Sequence, residues 1–105
     1  MLCVSTCRKE ITPQGKFFPC YLMGHAIRTD PAEGIMDPLW ATALVLEAEG
    51  ERFVWVTVEL IGLERDYTER LQAEIEKKYG IPPERTNICF VHTHSAPEYQ
   101  LHSLL

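Results

Sequence analysis

The residues best suited to do chemistry are two histidines, His92 and His94, which one residue separates. They follow the apolar run Cys-Phe-Val and precede Ser-Ala-Pro-Glu. In an extended chain alternate side chains share a face, so both imidazoles can point the same way. Two imidazoles at a strand end form half of a metal site, for which zinc is the commonest occupant. Two loop histidines that hydrogen-bond locally would give the same pattern.

Two strands upstream are predicted to form a hairpin, over residues 39–48 and 52–61. Both segments are rich in β-branched and aromatic residues, as strands are. Gly50 lies between them and can supply the positive φ that a tight turn requires. Both faces of the second strand are largely apolar, which predicts a central strand covered on both sides.

An amphipathic helix is predicted over residues 64–79, followed by a third strand over residues 86–91. Gly80 is suited to end the helix. Apolar side chains recur every four residues and predict the buried stripe of the helix. They are Tyr67, Leu71, Ile75 and Tyr79.

Strand, helix and strand make a βαβ unit, so residues 52–61 and 86–91 should lie parallel with a right-handed crossover. The predicted fold class is α/β, with a small mixed sheet that contains a β-hairpin and a βαβ crossover. His92 and His94 then lie at the carboxyl end of a parallel strand, where ligand sites of open α/β sheets concentrate.

Glu59 lies near the end of the neighbouring strand and at the same edge of the sheet. A carboxylate there is costly to bury unless it is paired or exposed at the rim. Two roles explain it: a structural hydrogen bond, or a hydrogen bond that orients one of the two histidines toward a metal.

The first part of the chain is predicted to contain a strand over residues 2–9 and a long loop over residues 13–38. Proline and glycine are frequent in this loop, and loops of such length are usually functional or ordered by a partner surface. His25 and Arg28 lie in its middle. They are either a solvated pair or residues of a loop that contacts substrate.

Length and charge exclude some classes of protein. A chain of 105 residues is one domain at most. Its net charge of −5 argues against a nucleic-acid-binding surface. No apolar run approaches the roughly 20 residues of a transmembrane helix, and no signal peptide is evident, so a cytoplasmic location is expected. The four cysteines are irregularly spaced, which favours reduced packing residues over disulfides.

Residues 91–97 resemble the Thr-His-Thr-His-Ser-Gly-Pro signature of the neutral/alkaline, non-lysosomal ceramidases. Val91 stands where that family often has Thr, and Ala96 where it often has Gly. The resemblance covers nearly the whole chain, which corresponds to the N-terminal region of the family. Its other matching stretches are Ile11-Thr12-Pro13, Gly24-His25-Ala26, residues 34–43 and Val58-Glu59-Leu60.

The resemblance implies a zinc-dependent amidase that hydrolyses the N-acyl bond of ceramide-like lipids. It implies that His92 binds Zn²⁺ and that His94 is a catalytic residue close to the metal. The family takes its remaining ligands, another His, a Glu and a Tyr, from later sequence. This chain is therefore expected to be the N-terminal part of a larger α/β domain, inactive alone, whose site a C-terminal region or an oligomer completes. The alternative is a non-catalytic domain with a structural or binding role.

Overall fold

A computed structural model describes residues 1–14, 20–22 and 30–97. It contains four strands, one α-helix and a short 3-10 turn at Pro83–Arg85. In chain order the principal elements are β1 (Leu2–Glu10), β2 (Trp40–Ala48), β3 (Glu51–Val58), α1 (Arg65–Tyr79) and β4 (Thr86–Phe90).

The strands form a single sheet in the order β1-β2-β3-β4. β2 pairs with β1 and with β3 in antiparallel fashion, whereas β4 pairs with β3 in parallel. The predicted mixed sheet, with its hairpin and its βαβ crossover, is confirmed. β3 lies between β2 and β4. Because β3 and β4 are parallel, their carboxyl ends lie at the same edge of the sheet.

The hairpin turn consists of two residues, because Ala48 pairs with Glu51 across it. Glu49 and Gly50 have φ values of 52° and 78°. Positive φ at both central positions is the requirement of a type I′ turn, whose twist matches that of the flanking strands. Gly50 meets this requirement without steric cost, whereas Glu49 adopts it against the preference of a residue with a Cβ.

The helix ends where the sequence predicts. Gly80 has φ 69° and ψ 21°, and its N–H donates to the carbonyl of Glu76. This left-handed residue satisfies one of the carbonyls that the last turn leaves without a partner. No helix in the described part of the chain is both long enough and apolar enough to cross a bilayer.

The predicted buried stripe of the helix is wrong for three of its four residues. Tyr67, Leu71 and Tyr79 are 42%, 43% and 57% exposed. The half-buried positions of the helix are Thr68, Gln72 and Ile75. Gln72 Nε2 donates to the carbonyl of Thr86 at 3.0 Å, which joins the helix to β4. The helix is therefore rotated about its axis, so that the face with Thr68, Gln72 and Ile75 is the half-buried one and most of the predicted apolar stripe is exposed.

Burial within β3 is confined to one face. Val54 and Val58 are 9% and 8% exposed, whereas Phe53 and Trp55 on the opposite face are 49% and 52% exposed. The prediction that both faces are covered is therefore wrong for the described residues. One crossover helix can cover only one face of a sheet. Ile81, which follows the helix, is buried at 4% exposure and belongs to the small core.

Candidate active site

A cleft of about 550 Å³ opens at the carboxyl edge of β3 and β4. It is lined by the chain that follows β1, by the loop before β2, by the end of β3 and by the segment after β4. The lining residues of these four stretches include Thr12 and Pro13, residues 32–39, Glu59, and Thr93, Ser95 and Pro97. The cleft therefore brings together stretches that are far apart in the sequence.

Two hydrogen bonds, one of them to a side chain, hold the loop before β2 against the sheet. The N–H of Leu39 donates to Thr12 Oγ1 at 2.8 Å, and the N–H of Ile11 donates to the carbonyl of Leu39 at 2.8 Å. On the other side, Leu22 and Pro97 form an isolated antiparallel bridge. The segment that carries the two histidines is thus connected to the first loop as well as to the sheet.

His92 lies two residues beyond the end of β4 and has φ 63°, in the left-handed region. Its N–H donates to the carbonyl of Leu60 at 3.0 Å, and its Nδ1 lies 2.9 Å from the carbonyl oxygen of Ile61. The expectation that His92 continues an extended strand is wrong. The direction of the imidazole is set instead by the left-handed backbone of His92 itself, and by its hydrogen bonds to Leu60 and Ile61.

The two imidazoles are nevertheless neighbours. The ring centroids of His92 and His94 lie 5.2 Å apart, and the rings are inclined at 69° to each other. Both side chains are exposed at the edge of the sheet. The sequence therefore correctly predicted their proximity, although it gave the wrong backbone conformation for it.

The donor chemistry of this pair fits zinc, since neutral imidazole nitrogens are among its preferred ligands. Nδ1 of His92 is engaged by the carbonyl of Ile61, so Nε2 would be the ring nitrogen to bind a metal. Within residues 1–14, 20–22 and 30–97, no three His, Cys, Asp or Glu side chains are grouped closely enough to hold a metal ion. The described residues thus supply at most two of the roughly four ligands of a zinc site.

Glu59 makes the structural hydrogen bond that is one of its two predicted roles. Its Oε2 accepts the N–H of Trp40 at 2.8 Å, while its own N–H donates to the carbonyl of Trp40 at 3.0 Å. This reciprocal pair ties the beginning of β2 to the end of β3. Glu59 also lines the cleft, and a hydrogen bond from Glu59 that orients one of the histidines toward a metal stays a prediction.

The remaining predicted site residues, His25 and Arg28, lie outside the described residues, and their contact with substrate stays a prediction. Sequence reasoning did not identify Thr93 and Ser95 as lining residues. Thr93 Oγ1 accepts the N–H of Ser95 at 3.1 Å. Small hydroxyl residues beside histidines carry little information by themselves, so only the position of the cleft identifies them.

Cys20 also lines the cleft. Burial raises the pKa of its thiol, because a thiolate is poorly solvated there. At neutral pH the side chain is therefore protonated, a form that is neither a good metal ligand nor a good nucleophile. All four cysteines are free, but Cys3 and Cys7 are exposed, so the prediction that the cysteines are packing residues is wrong for these two.

Comparison with known proteins gives a relationship at the level of structure. No family model and no curated protein matches the chain. A solved structure described as "Ceramidase complexed with C2" matches with a TM-score of 0.69 and 26% sequence identity. The match covers 92% of this chain but only 15% of the ceramidase chain. The chain therefore has a ceramidase-like fold over a small part of that enzyme's length.

Proposed function

We propose that this chain forms the first part of the active site of a zinc-dependent amidase that cleaves an N-acyl amide of a ceramide-like lipid. The observation that carries the proposal is the convergence of four stretches on one cleft, whose lining includes Thr93 and Ser95, the sequence neighbours of the paired His92 and His94. The same stretches carry the resemblance to the ceramidases, and the fold is similar to part of a ceramidase.

In this proposal His92 holds zinc through Nε2. Zinc, when bound, lowers the pKa of water to about 7 and polarises a carbonyl group, so that amide hydrolysis is feasible near neutral pH. His94 lies beside His92, where its imidazole can exchange a proton with the reacting amide. The hydroxyl side chains of Thr93 and Ser95 give the cleft a polar edge.

The lining of the cleft is consistent with an amide that carries an apolar chain. Ile35, Met36 and Leu39 contribute apolar surface from the loop before β2, and the ends of the strands contribute polar residues. A small site with apolar walls and a few polar groups is the usual form of a pocket for such a ligand. A ceramide-like lipid combines these two chemical features.

Zinc titration by calorimetry tests the metal assignment. The chain should bind zinc weakly, because two imidazoles leave at least two coordination positions to water. His92→Ala should abolish this binding, and His102→Ala is the matched control, which should leave it unchanged. Binding should weaken at acidic pH, since protons compete with the metal for imidazole nitrogen. Tight binding that persists in His92→Ala would mean that the ligands lie elsewhere.

Amidase activity is best tested in a chimaera in which this chain replaces the matching 15% of the ceramidase. The chimaera should release a fluorescent fatty acid from an N-acylsphingosine analogue, and His92→Ala in the chimaera should abolish the release. A thermal melt establishes that each chimaera is folded. The isolated chain should show no turnover. A folded chimaera that binds no zinc through His92 would favour the alternative of a non-catalytic domain.

A further inference from the structure

We propose that the two ring nitrogens of His92 have separate roles, and that the main-chain carbonyl of Ile61 positions the ring. Nδ1 joins the chain after β4 to the segment after β3 through a hydrogen bond. Nε2 is thereby left to bind an electrophile. The second half of this inference rests on the proposed function, in which that electrophile is a zinc ion.

The hydrogen bond to Ile61 fixes where the ring proton resides. A carbonyl oxygen has no hydrogen to donate, so the Nδ1 atom that lies 2.9 Å from it must carry the proton. In a neutral imidazole with Nδ1 protonated, Nε2 holds the lone pair. Ile61 therefore selects one of the two tautomers, and it selects the one in which Nε2 is a ligand.

The backbone around His92 reinforces this selection. The N–H of Val91 donates to the carbonyl of Val58 at 3.2 Å, and the N–H of His92 donates to the carbonyl of Leu60 at 3.0 Å. A left-handed φ of 63° at His92 is uncommon for a residue with a Cβ. It persists only where the surroundings determine it. Here two main-chain hydrogen bonds and the hydrogen bond of the imidazole hold this conformation.

The chemical consequence is a ligand nitrogen whose direction is fixed. Metal-binding histidines generally donate their second ring N–H to a carbonyl or a carboxylate, which fixes the ring and strengthens the ligand. Glu59 is the nearby carboxylate that the sequence suggests for this task, but its Oε2 accepts the N–H of Trp40. The geometry assigns the task to the carbonyl of Ile61.

Nitrogen NMR of the imidazoles tests the tautomer directly. Two-bond proton–nitrogen correlations are recorded on the full chain without metal, at a pH where histidines are neutral. Protonated Nδ1 and unprotonated Nε2 in His92 are the expected result. Free histidine in the same buffer is the reference, since it favours the other tautomer. A protonated Nε2 in His92 would overturn the inference.

Substitution separates the two sides of the ring. His92→Asn keeps an N–H donor near the δ position and tolerates positive φ. It should therefore melt close to the wild type, yet show no heat of zinc binding. His92→Ala lacks both sides and should lower the Tm by about 4–8 °C, the effect of one lost hydrogen bond in a chain of this size. Equal melting temperatures for the Asn and Ala variants would also overturn the inference.

Addition of zinc distinguishes this inference from the proposed function. A zinc-dependent shift of the Nε2 resonance of His92 supports both. A protonated Nδ1 with no response of Nε2 to zinc supports the role of Ile61 and counts against the proposed zinc site. A zinc-dependent shift at Nδ1 instead of Nε2 would overturn the positioning role while leaving the metal assignment in place.

Discussion

Glu59→Ala removes the carboxylate oxygen that accepts the Trp40 N–H at 2.8 Å. The loss of a charged acceptor from a buried donor costs about 1–3 kcal/mol. Both residues are half-buried, so water can partly replace the carboxylate, and we expect about 1–2 kcal/mol. In a domain of about 100 residues each kcal/mol corresponds to about 4–8 °C. The Tm should therefore fall by about 4–16 °C.

Glu59→Gln distinguishes a structural role from a role in orienting a metal-binding histidine. The amide retains an oxygen acceptor for the Trp40 N–H, so its Tm should fall by less than half as much as that of Glu59→Ala. If Glu59 also oriented a metal-binding histidine, zinc affinity in Glu59→Gln would drop by about 10–100-fold. If its role is structural alone, the affinity should equal that of the wild type.

Circular dichroism melts and zinc titrations on the two variants give both quantities. Glu33→Ala is the control, because Glu33 is an exposed acidic residue that lines the same cleft. Its melting temperature should equal that of the wild type. A Glu59→Ala variant that also melts at the wild-type temperature would refute the argument that the Trp40 hydrogen bond stabilises this edge of the sheet.

Three further predictions concern the turn, the core and the cleft. Glu49→Asn should raise the Tm by a few degrees, since asparagine tolerates the left-handed φ of this type I′ turn, and a thermal melt that shows no gain would contradict the strain argument. Ile81→Ala should lower the free energy of unfolding in urea by about 2–5 kcal/mol. Leu71→Ala should lower it by less than about half of that, because Leu71 is 43% exposed. Equal losses would contradict the observed orientation of the helix. Cys20 should react with iodoacetamide more slowly than the exposed Cys7 at neutral pH, because burial raises the pKa of the Cys20 thiol and reduces its thiolate fraction; mass spectrometry of the labelled chain that shows Cys20 reacting first would contradict this reasoning.

The local patterns of the sequence determined which elements form and how they pair. Two segments rich in β-branched and aromatic residues, with Gly50 between them, predicted the β2–β3 hairpin. The helix that follows predicted that β4 returns parallel to β3. Gly80 marked the end of the helix. These features depend on neighbours within a few residues, or on the connection between successive strands, so one sequence was sufficient to predict them.

Tertiary structure decided which predicted surfaces are buried and what positions the candidate site. A periodic stripe shows that Leu71 lies on an apolar face of the helix, but burial needs a partner, and the sheet contacts a neighbouring face. The apolar character of Phe53 likewise does not supply the layer that would cover it. The left-handed conformation of His92 and the carbonyl of Ile61 leave no mark in side-chain identity, because every residue has a carbonyl and its direction is set by the packed main chain.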